Sequence, residues 1–409
     1  MILRIFFLVL MSVAISTAQP SRKILYNGVI HTATEEAFSG YVVVNGETIE
    51  KVGRGAPPEG NRVDLQGAHL YPGLIDADSA LGLVEVESLR ATRDQTEVGS
   101  LNPNLEARYA FRAESDLVSV ARSQGVLVSG VNPLGSVISG QGSVMRLWGW
   151  TWEDMTVVPA WTLSLDWPRV TVKPDAKKAE EELEEIGKSL FFVNDAFEEA
   201  RSYIGSEVED VKWRALKPYA QGKRPILIRV QTPAEVRSVL EWTDKMKVKP
   251  VLVAGRQIDE FGTELAQRKI PVIYQFLFNQ NPTRIERYDE HYRTPKALMD
   301  QGVLVALSPS GLAFDAREVR DLAGRARAFG LTELQALQTV TLNPARILGV
   351  DDRLGSIEAG KEATLVLCEG DLLEVAPKVT RAWGAGVELD LSDRQKELYQ
   401  KYRKHLIRD

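Results

Sequence analysis

Between residues 24 and 70 the apolar positions come in short runs separated by turn residues. Ile24-Leu25-Tyr26 leads into Asn27-Gly28 and then Val29–Thr32, and Tyr41–Val44 leads into Asn45-Gly46. Asn-Gly between apolar runs predicts a hairpin, because both residues tolerate the positive φ of a tight primed turn. From Tyr71 the pattern changes. Apolar runs of four to six residues, Val126–Val131, Pro225–Val230, Pro250–Val253, Pro271–Tyr274 and Val303–Leu307, alternate with stretches of helical period. Thr232-Pro233 is a helix cap followed by a proline at the first helical position, which predicts a helix from Thr232 to Met246. Leu331-Thr332-Glu333 opens another, to about Val340. Continuous apolar strands between helices predict an α/β architecture with a parallel sheet covered on both faces. After Gly355 the short-strand pattern returns, over Gly355–Glu358, Thr364–Cys368 and Val379–Gly386. One small sheet built from both chain ends, with the α/β body inserted between them, accounts for that order.

Composition narrows the chemistry. The 409 residues are 44% hydrophobic and 26% charged, the balance of a globular chain. A net charge of −6 argues against a dedicated nucleic-acid surface. One cysteine, Cys368, excludes an intrachain disulfide and any cysteine-based zinc site. The four histidines, His31, His69, His291 and His405, form no His-x-His or His-x-x-x-His pair. At the N-terminus Arg4 precedes an 11-residue apolar run, Ile5–Ile15, and then Ser16-Thr17-Ala18. The run is too short to span a bilayer, which takes about 20 residues. The pattern predicts a signal peptide over residues 1–18, and a periplasmic or secreted protein with no membrane span. Lys177–Glu185 is a mixed charge run that reads as a solvated helix or loop.

Several stretches resemble the amidohydrolase superfamily, in its secreted imidazolonepropionase-like branch. They are Tyr71-Pro72-Gly73-Leu74-Ile75-Asp76, then Gly140-Gln141-Gly142 with Gly149–Met155, then Thr341-Leu342-Asn343-Pro344-Ala345 with Leu348-Gly349-Val350 and the run Gly355–Ala363. The tail around Arg394–Tyr399 resembles it too. The resemblance covers essentially the whole chain after residue 18, in order. It implies a distorted (β/α)8 TIM-type barrel over 73–354 and a composite β-sandwich over 19–72 and 355–390, followed by a helical tail over 391–409.

The resemblance also implies a divalent metal such as zinc in the barrel mouth, which lowers the pKa of bound water and polarises the scissile carbonyl. Its ligands would be a His-x-His on barrel strand 1, histidines on strands 5 and 6 and an aspartate on strand 8, with a carboxylate or modified lysine on strand 4 in binuclear members. The matching positions carry Asp78 and Ala80 on strand 1, Arg229 on strand 5, Ala254 on strand 6, and Pro309 or Ser310 on strand 8. The strand 4 residue is not identifiable. A catalytic zinc takes about three protein ligands, and Asp78 alone remains. No resident cofactor is therefore expected. Asp78 and Arg229 both match positions facing the metal, and a guanidinium supplies positive charge and several donors to a carboxylate. We expect them to pair in its place and to be the ligand-binding residues of the mouth.

The remaining candidates have structural readings. His31, His69 and His405 fall in sheet strands or the tail, and His291 in a charged, solvated loop. Asp76 orders the start of strand 1. Glu85, Glu87, Arg90, Asp94 and Glu97 follow strand 1 along the mouth. Trp148, Trp150 and Trp152 have the spacing of one strand face, so packing is their default role. Gly135–Gly142 lacks the lysine of a phosphate loop. The function expected is that of an amidohydrolase relative without its metal site or its hydrolysis of non-peptide C–N bonds. It would serve as a binding or partner subunit, beside an intact metal-binding relative or a second copy. Two alternatives are an active hydrolase on a cyclic amide or dipeptide-like substrate through Asp78 and Arg229, and a periplasmic binder of a small polar solute.

Overall fold

The structure is a computed structural model that describes residues 22–172, 178–205, 210–278 and 287–406. The signal peptide expected over residues 1–18 lies outside the described residues, as does Lys177 of the charged run.

Strands β1 (Lys23–Ile30), β2 (Phe38–Asn45), β3 (Thr48–Arg54), β4 (Arg62–Asp64) and β5 (His69–Pro72) form the N-terminal part of the first sheet. The two Asn-Gly pairs behave differently. Asn45-Gly46 turns β2 into β3 as a hairpin. Asn27-Gly28 does not turn the chain, which corrects the first hairpin expectation. Asn27 takes φ +59° inside β1, and the register against β2 slips between Tyr26 and Gly28. This is a bulge, in which one extra residue bends the strand without ending it. A Cβ on Gly28 would lie 2.8 Å from both Ala68 O and Leu65 Cδ1, so glycine is needed there for close approach.

Pro72-Gly73 leads into the barrel strands β6 (Leu74–Ser79), β7 (Val126–Val131), β8 (Ile138–Arg146), β9 (Thr156–Asp166), β10 (Pro225–Arg229), β11 (Lys249–Ala254), β12 (Val272–Tyr274) and β13 (Val305–Leu307). They hydrogen-bond in sequence order. All neighbours are parallel except β8, which runs antiparallel to both β7 and β9. The barrel is nearly closed by a parallel bridge between Ser79 and Gly311, with Ala80 N donating to Gly311 O at 2.8 Å. Alternation of side chains along the strands separates two layers. Leu227, Val251, Val253, Ile273 and Ala306 share one apolar cluster. Ile228, Leu252, Val272 and Val305 pack in another with helix residues such as Val236 and Leu240. The helix Pro233–Met246 starts as its cap predicts. Thr232 Oγ1 accepts from Glu235 N at 3.3 Å, and the Glu235 carboxylate accepts from Thr232 N.

The three tryptophans do not share a strand face, which corrects that reading. β8 ends at Arg146, and Gly149, at φ +144°, turns the chain into the short helix Trp152–Met155. Trp148 covers Gly384, Trp150 is 91% exposed, and Trp152 meets Tyr109 edge-on at 5.0 Å.

Gly355–Glu358 is a loop rather than a strand, tied to the sheet by Ile357 N donating to Thr32 O at 3.1 Å. Strands β14 (Leu365–Glu369), β15 (Lys378–Gly384) and β16 (Val387–Glu388) complete the first sheet in the order β16-β15-β14-β5-β1-β2-β3, with β4 beside β1. The sheet thus draws on both chain ends. The tail forms a helix, Arg394–Leu406. Among the described residues no helix is long and apolar enough to cross a membrane.

Candidate functional site

Parallel barrel strands place the residues at their C-terminal ends around one mouth. Here those residues are polar and bonded to one another. Asp78, from β6, is completely buried. Its Oδ1 accepts from Arg229 Nη2 at 2.6 Å and from Asn132 Nδ2 at 2.8 Å, and its Oδ2 accepts from Gln275 Nε2 at 3.0 Å. Arg229 ends β10. Its other terminal nitrogen donates to Ser164 Oγ at 2.5 Å and lies 3.7 Å from Asp166 Oδ1. Trp161 Nε1 donates to Asn132 Oδ1 at 3.1 Å, which orients that amide toward Asp78. Ser308, just past β13, donates to Asp76 Oδ1 at 2.7 Å and lies 2.8 Å from the carbonyl oxygen of Asp78. A buried carboxylate is costly unless a counter-charge and several donors compensate it. Asp78 has both.

Asp76 has one oxygen bonded to Ser308, while its Oδ2 has no hydrogen-bond partner. Burial, opposed by the Ser308 hydrogen bond and reinforced by the nearby Asp78 charge, pushes its carboxyl up to about 8. Asp76 is therefore mostly protonated at neutral pH. Burial also raises the Asp166 carboxyl, with the Arg229 cation pulling the other way.

The matched positions divide. Asp78 and Arg229 come together in the mouth. Ala80 supplies its backbone N–H to the barrel seam, and Ala254 supplies its carbonyl to Gln275 N at 3.1 Å. Pro309 is buried, and exposed Ser310 donates to Asp315 outside the network. On strand 8 the polar contact is instead made by Ser308. At the C-terminal end of β9, Asp166 pairs in register with Arg229. Asn132, Ser164, Gln275 and Ser308 are further network members that sequence reasoning missed. Three of them carry one legible signal: Val131-Asn132, Tyr274-Gln275 and Leu307-Ser308 each end a mainly apolar strand run on a polar residue. The segment after β6 lies beside this site. Asp94 and Glu97 line a separate cavity there, and Glu85 Oε1 accepts from Asp116 N at 3.2 Å.

None of the three histidines whose side chains are described joins the network. His31 Nε2 lies 2.9 Å from His69 Nδ1, on adjacent strands of the first sheet, and His31 stacks on Tyr71 at 4.0 Å. His291 is not on a solvated loop. It is buried in the helix Glu290–Asp300, against Tyr292 at 3.8 Å, while the neighbouring Asp289 is buried too and compensated by the exposed Arg287 and Arg293. His405 falls in the tail helix. Among the described residues no three His, Cys, Asp or Glu side chains are grouped so as to hold a metal ion. A cavity of about 470 Å³ opens above Arg229 and Gln275. A wider groove of about 840 Å³ lies elsewhere, with none of the network in its wall.

The frame is shared with known proteins. Residues 251–390 match the amidohydrolase family model. Over 94 residues, 22% of this chain, the sequence is 35% identical to an imidazolonepropionase of Phocaeicola vulgatus, covering 23% of that protein. Over 179 residues, 43% of this chain, it is 25% identical to the amidohydrolase tasK of Hapsidospora irregularis, covering 18% of that protein. The matches thus span less than a quarter of either relative. The crystal structure of an amidohydrolase from Thermotoga maritima superposes with a TM-score of 0.80 at 25% identity, over 90% of this chain and 99% of that one.

Proposed function

The chain belongs to the amidohydrolase superfamily, and from that premise we propose that it is a non-hydrolytic member, whose barrel mouth has become a binding site or a partner-subunit surface. The observation that carries this reading is the saturation of Asp78 by Arg229, Asn132 and Gln275.

The donor set does not fit a catalytic divalent ion. Such a site takes about three protein ligands and keeps an open position. In the mouth Asp78 is already neutralised by a cation, Asp166 flanks the same guanidinium, and Asp76 is held protonated by burial. A second cation beside Arg229 would be repelled in a site of low dielectric. Metal-free hydrolysis through Asp78 is disfavoured as well. A general base needs hydrogen-bond reach to its water, and Asp78 is fully buried with donors on both oxygens. The frame shared with the Thermotoga maritima amidohydrolase and the inward polar lining instead suit recognition. We place the protein in the periplasm or outside the cell, on its N-terminal segment.

Metal analysis of the full chain, purified from metal-supplemented medium and desalted, tests the proposal. The expected content is far below one zinc, manganese or iron per chain. A stoichiometric metal overturns it.

A further inference from the structure

Two surface helices of this chain carry opposite charge. The helix Ala179–Ser202 has eight acidic residues against two basic ones, and the tail helix Arg394–Leu406 has five basic against one acidic. The long helix buries Val193, Ala196, Phe197 and Ala200 and rests on the helix Val211–Ala220. Its outer side repeats every four residues, as Leu183, Gly187 and Phe191, and both large side chains are more than half exposed. Exposed Glu180, Glu184 and Asp195 flank that stripe. Lys188 reaches Glu184 at 2.8 Å, which leaves the excess of negative charge in place. Glycine inside a helix costs about 1 kcal/mol relative to alanine. A Cβ at Gly187 would meet no atom within 4 Å among the described residues, so packing within the chain does not require glycine there. Bare backbone on an outer helix face instead permits close approach of another element.

The tail helix offers the converse face. Leu398, Tyr399 and Tyr402 share one side and are all exposed. Lys401 and Arg403 edge that side, over the Tyr402 and Tyr399 rings at 5.6 and 6.0 Å. Arg394 lies 3.8 Å from Asp116, which fixes the start of the helix beside the helix Asp116–Ser123. From Leu183 to Phe191, and from Lys396 to Lys404, each face runs about 12 Å at 1.5 Å per residue. Apolar stripes with oppositely charged flanks are complementary surfaces. We propose that the tail helix of one chain docks on the helix Ala179–Ser202 of a second copy. Leu398, Tyr399 and Tyr402 would meet Leu183, Gly187 and Phe191, with Lys401 and Arg403 toward the flanking carboxylates. Each chain carries both faces, so a two-fold axis repeats the contact and closes a dimer. An anionic lipid surface suits the tail less well, because the chain as a whole has a net charge of −6. The dimer does not depend on what the barrel mouth holds.

Sedimentation velocity of the full chain over about 1–100 µM tests the proposal. The expected result is a concentration-dependent dimer that weakens as salt is raised from about 0.1 to 0.5 M. Gly187→Trp blocks one face and Tyr402→Asp places a negative charge in the other. Each should raise the dimer dissociation constant at least about tenfold, with an unchanged circular dichroism spectrum. An equimolar mixture of the two variants keeps one intact contact and should dimerise more tightly than either variant alone. The inference is overturned by a chain that stays monomeric throughout, by a dimer that either variant leaves as tight as the parent's, or by a mixture no tighter than its components. A monomer that pellets with vesicles of phosphatidylglycerol and phosphatidylcholine would overturn it in favour of a lipid surface.

Discussion

Two polar clusters sit toward opposite ends of the barrel entry strand, the mouth cluster at the C-terminal end of β6 and the other on β1 and β5 before its start, and they are built from different residue types. The mouth cluster joins Asp76, Asp78, Asn132, Arg229, Gln275 and Ser308. The seam cluster, on the first sheet, joins His31, His69, Tyr71 and Asp371. Tyr71 donates to Asp371 at 3.2 Å, Arg327 donates to the same carboxylate at 2.5 Å, and His31 Nδ1 lies 3.3 Å from Glu333 Oε1. Burial, helped by the neighbouring His69, lowers His31 to about 4. The Glu333 contact is therefore one between a carboxylate and a neutral ring at neutral pH, not an ion pair. Half of the chain's histidines thus serve a seam between sheet and barrel, while the mouth relies on an arginine and carboxylates. Histidine content by itself says nothing about a metal site; placement does.

The clusters also respond to pH with opposite sign. Asp76 rises from 3.8 to about 8 on folding, so the folded chain holds its proton longer. Its contribution is complete at acid pH and is lost as pH rises through that window. His31 falls from 6.5 to about 4, so the unfolded chain takes up a proton first. Stability from that residue is present above pH 6.5 and is lost as pH falls toward about 4.

The largest expected effect breaks the mouth cluster. Asp78→Ala removes the close counter-charge of the partly buried Arg229, leaving only Asp166 at 3.7 Å, and should cost about 3 kcal/mol in urea unfolding. Gln275→Leu removes the donor to Asp78 Oδ2 and should cost about 1–3 kcal/mol by the same measurement. Asp76→Asn sharpens the contrast. It should leave stability at pH 4 nearly unchanged and raise it by on the order of 1–3 kcal/mol at pH 8, flattening the alkaline limb of the profile. His31→Phe keeps the stacking on Tyr71 and should flatten the acid limb alone, at a cost of about 1 kcal/mol at pH 7. The smallest effect is at Trp150, exposed and outside both clusters. Trp150→Ser should change stability by less than about 0.5 kcal/mol.

The regular parts of this fold are legible in sequence because their causes are local. Val126–Val131 and Pro225–Arg229 are apolar runs of strand length, and Thr232-Pro233 carries its own cap. Asp78 and Arg229 are legible because a motif fixes their place on strands. Asp166 is not, because its level with Arg229 depends on an antiparallel β8 that shifts β9 along the chain. Gln275 and Ser308 are set by closure between β12, β13 and β6, which no local pattern encodes. Asn27-Gly28 misleads for the same reason. Its dipeptide permits a positive φ, but pairing of β1 with β2 on both sides of Asn27 turns that freedom into a bulge.

The central claim is that Asp78 and Arg229 hold the mouth as mutually dependent charges. A double-mutant cycle with Asp78→Ala, Arg229→Met and the double variant, read by equilibrium urea unfolding, tests it most directly. The account predicts that the double variant is less destabilised than the sum of the singles, with a coupling of about 2–3 kcal/mol. Additive losses, with a coupling within about 0.5 kcal/mol of zero, would contradict it.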